Sequence, residues 1–333
     1  HFHRDVMAMA DTFSRHILQP GQDDVFAGTP PLAFTFGLGA VLVFPFHARA
    51  STVLDETAGP GELLQTIEHF KVTALFTAPT AYRAMLGELC QADAPDLSAL
   101  RLCVSAGEAL PKATSDAWFD QTGIRLIDGI GATELIHIFI SAAGNDIRPG
   151  STGKPVPGYQ ACVLDASGEP AATGEVGRLA VKGPTGCKYM NDARQADYVQ
   201  NGWNITGDSY RIDEEGYFWF VARSDDMIIS GGYNISGPEV ENALLTHPSV
   251  EECAVVGTPD QDRGQLVTAF VVAKPGMAAN ADLITDLQNH VKATVAPYIY
   301  PRNVVFLDSL PKTQTGKIKR FELRTPIARG TET

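Results

Sequence analysis

Between Arg101 and Glu134 the chain reads RLCVSAGEALPKATSDAWFDQTGIRLIDGIGATE. Two apolar runs, RLCVSAG and IRLIDGIG, each end in a glycine turn, and a helical segment opened by Pro111 lies between them. Strand-length runs alternating with helices are the units from which parallel sheets are wound. The rhythm extends backward. Gly61–Phe70 (GELLQTIEHF) has a helical pattern and Thr73–Thr77 (TALFT) reads as a short buried strand. Pro79 then opens a helix through Glu88, at a position where its missing N–H is tolerated. The expected fold class is therefore α/β, with a doubly wound parallel sheet. Such sheets bind ligands at the carboxyl ends of their strands, which here carry SAGEAL and DGIGATEL.

Further along, the texture changes. From about Gly150 to Val221 glycine and proline are frequent and the strand-like runs are short: QACVLD, GRLAVKG and GYFWFVA. This predicts an antiparallel β subdomain. After Arg223, DDMIISGGYNISGPEVENALLTHPSVEECAVVGTPD gives a strand, a glycine turn, a helix capped near Ser236 and Pro238, and another strand. LVTAFVV and NVVFL add strands, with ITDLQNHVKATV as a helix between them, so a small α+β domain ends the chain. At the other end, HFHRDVMAMADTFSRHIL has the apolar rhythm of an amphipathic helix already under way, and residue 1 is His.

Composition narrows the function classes. With 44% apolar and 20% charged residues in 333, the chain is an ordinary globular one with ample material for a core. A formal charge of −13 argues against nucleic acid and anionic membranes as partners. The apolar stretch near Gly37–Phe46 is broken by glycine and proline and is too short to span a bilayer. Cys90, Cys103, Cys162, Cys187 and Cys253 are odd in number, widely spaced and without a C-x-x-C pair. That disfavours zinc or a disulfide framework and suits free thiols in a reducing cytoplasm.

Four motifs carry chemistry. In Gly129–Glu134 (GIGATE) a glycine turn lets backbone approach a phosphate, Thr133 can donate to a phosphate oxygen, and Glu134 offers the oxygen ligand that Mg²⁺ prefers. In Thr206-Gly207-Asp208, an aspartate in a tight turn can accept both hydroxyls of a ribose. Arg223-Ser224-Asp225-Asp226 is a polar joint where a hinge would sit, and Gly231 and Gly232 would let a ligand pass close to backbone. In Pro311–Arg320 (PKTQTGKIKR), Lys317 beside a glycine can reach a phosphate or carboxylate. Taken singly, each also fits an ordinary turn, linker or solvated basic run.

Taken in order, SAGEAL, GIGATEL, WNITGD, ARSDDMIISGGYNI and PKTQTGKIKR resemble the adenylate-forming superfamily, which includes acyl-CoA synthetases, peptide-synthetase adenylation domains and firefly luciferase. PPLAFTFGLG, DGIGATELIHIF and GSTGKPVPGY draw the likeness toward benzoate and 2-aminobenzoate CoA ligases. The resemblance covers essentially the whole chain. It implies residues 1–222 as the rear part of a large adenylation domain, 223–226 as a hinge, 227–325 as a small mobile domain, and 326–333 as a tail. The superfamily's Ser/Thr/Gly-rich phosphate loop is expected upstream of His1, so the chain reads as a truncated fragment.

The resemblance also implies roles. Thr133 contacts phosphate and Glu134 binds Mg²⁺. Gly107, Glu108 and Ala109 line the adenine, with Asp128 near its amino group and Gly129 and Ile130 beside it. Ile130 stands where most relatives carry an aromatic, a departure that benzoate-type ligases share. Asp208 holds the ribose, Arg223 supports the ribose or phosphate, and Asp225 is the hinge residue. Gly231 and Gly232 border the pantetheine tunnel, and Lys317 contacts the carboxylate and α-phosphate during adenylation. Thr35, Phe36, Ala106, Gly131, His137 and Ile138 surround the aromatic ring, where His137 reads equally as a ring-substituent donor or a core histidine. The implied activity is ATP-dependent formation of an aryl-adenylate and then an aryl-CoA thioester, with ATP, Mg²⁺ and CoA as cofactors. A small aromatic carboxylate is the partner, a homodimer is compatible, and the setting is cytoplasmic. The alternatives are an aryl-acid adenylation domain that loads a carrier protein, and a non-catalytic fragment that binds nucleotide or acyl ligand.

Overall fold

The computed structural model of the chain describes residues 1–55, 59–91, 94–186, 188–224, 226–313 and 317–324. The chain divides into two units, His1–Phe220 and Val221–Thr333.

In the first unit, seven strands form one sheet: β1 (Val25–Gly28), β2 (Ser51–Thr52), β3 (Ala74–Thr77), β4 (Leu102–Ala106), β5 (Leu126–Gly131), β6 (Ile138–Ser141) and β7 (Lys154–Pro155). Their order is β2-β1-β3-β4-β5-β6-β7. Pairings among β1 to β5 are parallel, as the strand–helix alternation predicts. The β5–β6 and β6–β7 pairings are antiparallel, so the sheet is mixed where a parallel one was expected. The cause is chain length. Only Ala132–His137 separate β5 from β6, far fewer than the dozen or more residues a parallel crossover needs.

Both faces of the sheet are covered. Phe26, Phe76, Val104 and Ile127 pack with Met9, Phe13, Ala40 and Phe44 from the first 50 residues. Ala27, Leu75, Cys103 and Leu126 pack on the other side with Leu63, Ile67, Tyr82, Met85 and Trp118. These come from helices Pro60–Phe70, Pro79–Leu89 and Lys112–Thr122. A strand buried on both faces reads as a continuous apolar run, as LCVSA does in β4. The buried Tyr82 hydroxyl donates to the carbonyls of Leu75 (3.2 Å) and Val104 (3.1 Å), which satisfies a polar atom inside this layer.

Two helical stretches are wider than expected. The N-terminal amphipathic segment is an α-helix over His3–Met9 and a π-helix over Ala10–Leu18. The apolar stretch around Gly37–Phe46 is also helical, with Thr35–Leu38 and Phe44–Ala48 flanking a π-turn at Gly39–Val43. Among the described residues no helix is long and apolar enough to cross a membrane.

A second sheet follows, from β8 (Gln160–Leu164), β9 (Gly177–Lys182), β10 (Val199–Gln200), β11 (Trp203–Ile212) and β12 (Phe218–Arg223). The β8–β9, β9–β11 and β10–β11 pairings are antiparallel, the texture expected of this region.

The second unit contains β13 (Ile228–Ser230), β14 (Tyr233–Ile235), β15 (Val250–Asp260), β16 (Gly264–Ala273) and β17 (Asn303–Phe306). Their order is β14-β13-β16-β15, with β17 parallel on β16. Helices Gly237–Leu245 and Ala281–Thr294 cover the sheet through Val240, Leu244, Leu287 and Val291. Ser236 caps the first of these helices by accepting from the Glu239 N–H at 3.2 Å, and Asn280 caps the second from Leu283 at 3.0 Å. The small α+β domain read from the sequence is thus the architecture observed.

Candidate active site

The carboxyl ends of β4 and β5 lie side by side, with Ser105 opposite Asp128 and Ala106 opposite Gly129. This register joins SAGEAL and DGIGATEL, two segments selected independently from the sequence. After β4 the chain turns at Gly107 (φ 92°), with Glu108 half-buried and Ala109 exposed. After β5 it makes one 3₁₀ turn, Thr133–Leu135, and reverses at Ile136, whose φ is 66°. A buried β-branched residue at positive φ is a true outlier, and it fixes the bend that carries Thr133 and Glu134.

Glu134 is held by a residue the sequence reading did not single out. The Tyr189 hydroxyl donates to Glu134 Oε1 at 2.5 Å. Arg194 stacks over the Tyr189 ring, 5.0 Å from its centroid, and the Tyr189 N–H donates to Gln195 Oε1 at 2.7 Å. No short motif links positions 134 and 189, so only the fold reveals the pair. Among the described residues no group of three or more His, Cys, Asp or Glu side chains could cage a metal. A lone carboxylate suits Mg²⁺ that arrives on a nucleotide, because that ion keeps its waters and shares phosphate oxygens.

The wall beside this turn is apolar. Gly131 pairs with Ile138, and the ring of neighbouring His137 lies near Phe36 of the helix Thr35–Leu38. His137 is 2% exposed, with ring centroids of Phe44, Phe13 and Phe36 at 4.7, 5.2 and 6.0 Å. Neither ring nitrogen has a partner in hydrogen-bond geometry. Burial pushes its pKa down to about 3, outweighing the nearby Phe36 backbone, which raises it, so the ring is neutral. Space is tight on every side. A Cβ on Gly39 would lie 2.5 Å from His137 Nε2, one on Gly129 2.7 Å from Ile138 Cγ2, and one on Gly131 2.8 Å from the His137 carbonyl oxygen. Ala106 and Ile138 are buried, while Thr35 and Phe36 are half-buried. The six residues expected around an aromatic ring therefore gather at the ends of β4, β5 and β6 and on the Thr35 helix.

Asp128 is half-buried, and burial raises its pKa to about 7 against the Gly129 N–H that lowers it. It borders a small cavity of about 10 Å³ shared with Ser115, Arg148 and Thr152, roughly the room one water centre needs. Asp208 reaches the same neighbourhood. Burial lifts the Tyr210 pKa well above its ordinary value, and the Asp208 and Asp128 carboxylates both add to the rise. Asp208 does not sit in a tight turn as expected. Gly207 (φ 80°) lets β11 bulge between Ile205 and Ser209, and Asp208 lies inside that ten-residue strand. The Ile130 side chain packs partly buried against the main core.

The remaining candidates belong to the second unit. Arg223 is exposed at the end of β12. Gly231 (φ 57°) and Gly232 (φ 84°) form the two-residue turn of the β13–β14 hairpin, a geometry that demands positive φ at both positions. Lys317 is exposed on a hairpin. Asp225, the expected hinge, lies outside the described residues, as does Cys187.

Known proteins resemble this chain along almost its whole length. The family described as AMP-binding enzyme matches residues 1–189, and its C-terminal domain matches residues 239–317. The benzoate–CoA ligase of Thauera aromatica is 40% identical over 331 residues, 98% of this chain and 62% of that protein. Among solved structures, the anthranilate CoA ligase AuaEII in complex with anthranoyl-AMP superposes with a TM-score of 0.91 at 43% identity, covering 97% of this chain and 63% of that one. A benzoate CoA ligase from Burkholderia xenovorans LB400 superposes with a TM-score of 0.89 at 36% identity, covering 97% and 66%. The chain thus spans a little under two thirds of the length of these relatives.

Proposed function

We propose, for a chain that belongs to the AMP-binding enzyme family, that it activates a flat aromatic carboxylate with ATP and passes the acyl group to CoA. The carrying observation is the apolar cluster of Phe36, Ala106, Gly131, His137 and Ile138 beside the Thr133–Glu134 turn. Aliphatic walls, small residues and a neutral imidazole suit an aryl ring, and a chain similar to benzoate and anthranilate CoA ligases supports that choice.

A carboxylate is a poor acyl donor. In the first half-reaction its oxygen attacks the α-phosphorus of ATP and pyrophosphate leaves. Thr133 would donate to a phosphate oxygen, and Glu134, oriented by Tyr189, would hold Mg²⁺. The ion, when bound, neutralises charge on the transferred phosphates. Asp128 and Asp208 would fix the adenosine by accepting from its amino and hydroxyl groups. Gly107, Glu108 and Ala109 would flank the base. Lys317 is the cation proposed for the developing charge, and Arg223 a second one near the ribose. In the second half-reaction the CoA thiolate attacks the acyl carbon and AMP leaves, with Gly231 and Gly232 proposed to border the pantetheine path. A cytoplasmic setting fits the free thiols Cys90, Cys103, Cys162 and Cys253.

The test is AMP formation from ATP with benzoate or 2-aminobenzoate, with CoA or a phosphopantetheinyl carrier protein as acceptor. CoA-dependent AMP release with an aryl acid is expected. Release only with the carrier, or with no aryl acid at all, refutes the proposal.

A further inference from the structure

The Lys317 hairpin is short. The Thr313 N–H donates to the Lys317 carbonyl (2.8 Å), the Lys317 N–H to Thr313 Oγ1 (3.1 Å) and the Lys319 N–H to the Pro311 carbonyl (2.8 Å). A two-stranded ribbon of this size is marginal in water on its own. Something in the second unit must therefore hold it in place.

On its C-terminal side Ile318 packs against Ala254, Val256 and Leu310, and a polar anchor is Arg320, three residues beyond Lys317. Arg320 Nη2 donates to Glu241 Oε2 at 2.9 Å, and Nη1 donates to Glu241 Oε1. The same two side chains occupy both polar groups of Val255. Its N–H donates to Glu241 Oε1 at 2.7 Å, and its carbonyl accepts from Arg320 Nη1 at 3.2 Å. Val255 lies on β15, which ends the strand order β14-β13-β16-β15 and so presents an open edge. Glu241 and Arg320 take the place of a missing neighbouring strand there. Their side chains are 12% and 24% exposed, so water competes less here than at the Lys319–Glu322 pair, whose side chains are 33% and 42% exposed.

We propose that the Glu241–Arg320 fork is the positioning device for Lys317, clamping the end of its hairpin to the β15 edge so that the ammonium meets the phosphate in adenylation. This rests on the reading of Lys317 as the adenylation cation. Neither Glu241 nor Arg320 needs to touch substrate. The fork acts by limiting where the Lys317 backbone can be.

Amide hydrogen exchange on the 333-residue chain tests the clamp directly. Arg320→Lys loses the planar fork but keeps a charge, and Glu241→Gln keeps an acceptor for Val255 but loses the charge. In both, protection at Thr313, Lys317 and Lys319 should fall about tenfold or more. Amides of β16, and of β15 other than Val255, should be unchanged, as should all amides in Glu322→Gln, which removes only the exposed pair. Unchanged hairpin protection in both variants, or equal loss across β15 and β16, overturns the proposal. A second measurement separates it from the reading of Lys317. Pyrophosphate release should fall about tenfold in the fork variants, while thioester formation from a supplied aryl-adenylate holds. A loosened hairpin with intact pyrophosphate release overturns the positioning role. Intact release in Lys317→Ala overturns the reading of Lys317 instead.

Discussion

Replacing His137 with Met tests the electrostatics of the proposed aryl site without touching the Thr133–Glu134 turn. The ring is 2% exposed, caged by three phenylalanines and without a hydrogen-bond partner, and burial holds its pKa at about 3 against an ordinary 6.5. The folded chain therefore stays unprotonated while the unfolded chain takes up a proton below pH 6.5. Stability is lost as pH falls through the window from 6.5 toward 3, by about 1.4 kcal/mol per unit. Between pH 6.5 and 5 the wild type should lose about 2 kcal/mol relative to a variant that cannot titrate there. Methionine is close to histidine in volume, and its thioether adapts to irregular gaps. It also removes two unpartnered nitrogens, so at pH 7.5 the variant should equal the wild type or exceed it by about 1 kcal/mol. Trp118, Trp203 and Trp219 all lie in His1–Phe220, so urea unfolding followed by tryptophan fluorescence reports on the unit that contains the change. A gap that stays constant from pH 7.5 to 5 would refute the reasoning, because it would mean that the folded site accepts the proton as readily as water does.

Asp128→Asn probes the opposite sign. Its folded pKa near 7 lies above the ordinary 3.8, so the wild type loses stability relative to the variant as pH rises through that window. Partial water contact trims the effect to about 1–2 kcal/mol between pH 5 and 7, and thermal melts of both proteins at the two values would show it. Gly131→Ala places a Cβ 2.8 Å from the His137 carbonyl, a backbone atom that cannot swing away. It should cost about 1–3 kcal/mol and widen the β5–β6 return, read as a lower urea midpoint and weaker aryl-acid binding by calorimetry. Tyr189→Phe removes the donor on Glu134 and should raise the Mg²⁺ concentration for half-maximal pyrophosphate release by about tenfold. An unchanged Mg²⁺ titration would show that Tyr189 does not orient Glu134.

Local periodicity made the first sheet legible. TALFT, RLCVSAG and IRLIDGIG each carry an apolar run ended by a turn, and Ala74–Thr77, Leu102–Ala106 and Leu126–Gly131 are the strands observed. The antiparallel return through β6 was not legible, because Ile138–Ser141 is buried throughout and shows no alternation to mark it as a strand. The π-turns at Ala10–Leu18 and Gly39–Val43 escaped for a related reason: an apolar stripe looks the same whether the helix is α or slightly wider. At the candidate site, Thr133 and Glu134 stood out because a glycine turn precedes them in sequence. Tyr189 did not, since its bond to Glu134 spans 55 positions and depends on how β9 leads into the following loop. Asp208 was singled out by its motif and expected in a turn, but lies in a strand, because a glycine permits a bulge as readily as a reversal.

The left-handed backbone at Ile136 has a consequence for laboratory evolution. Holding a β-branched residue there costs about 1–3 kcal/mol, and glycine or asparagine would relieve it. A library selected for heat resistance alone should therefore drift toward those residues at position 136. The survivors would melt higher, and their 3₁₀ turn would no longer be confined to one bend. Glu134 would then sample several orientations in the absence of ligand, and nucleotide would have to select one. A screen that scored melting temperature and catalysis together would keep the isoleucine.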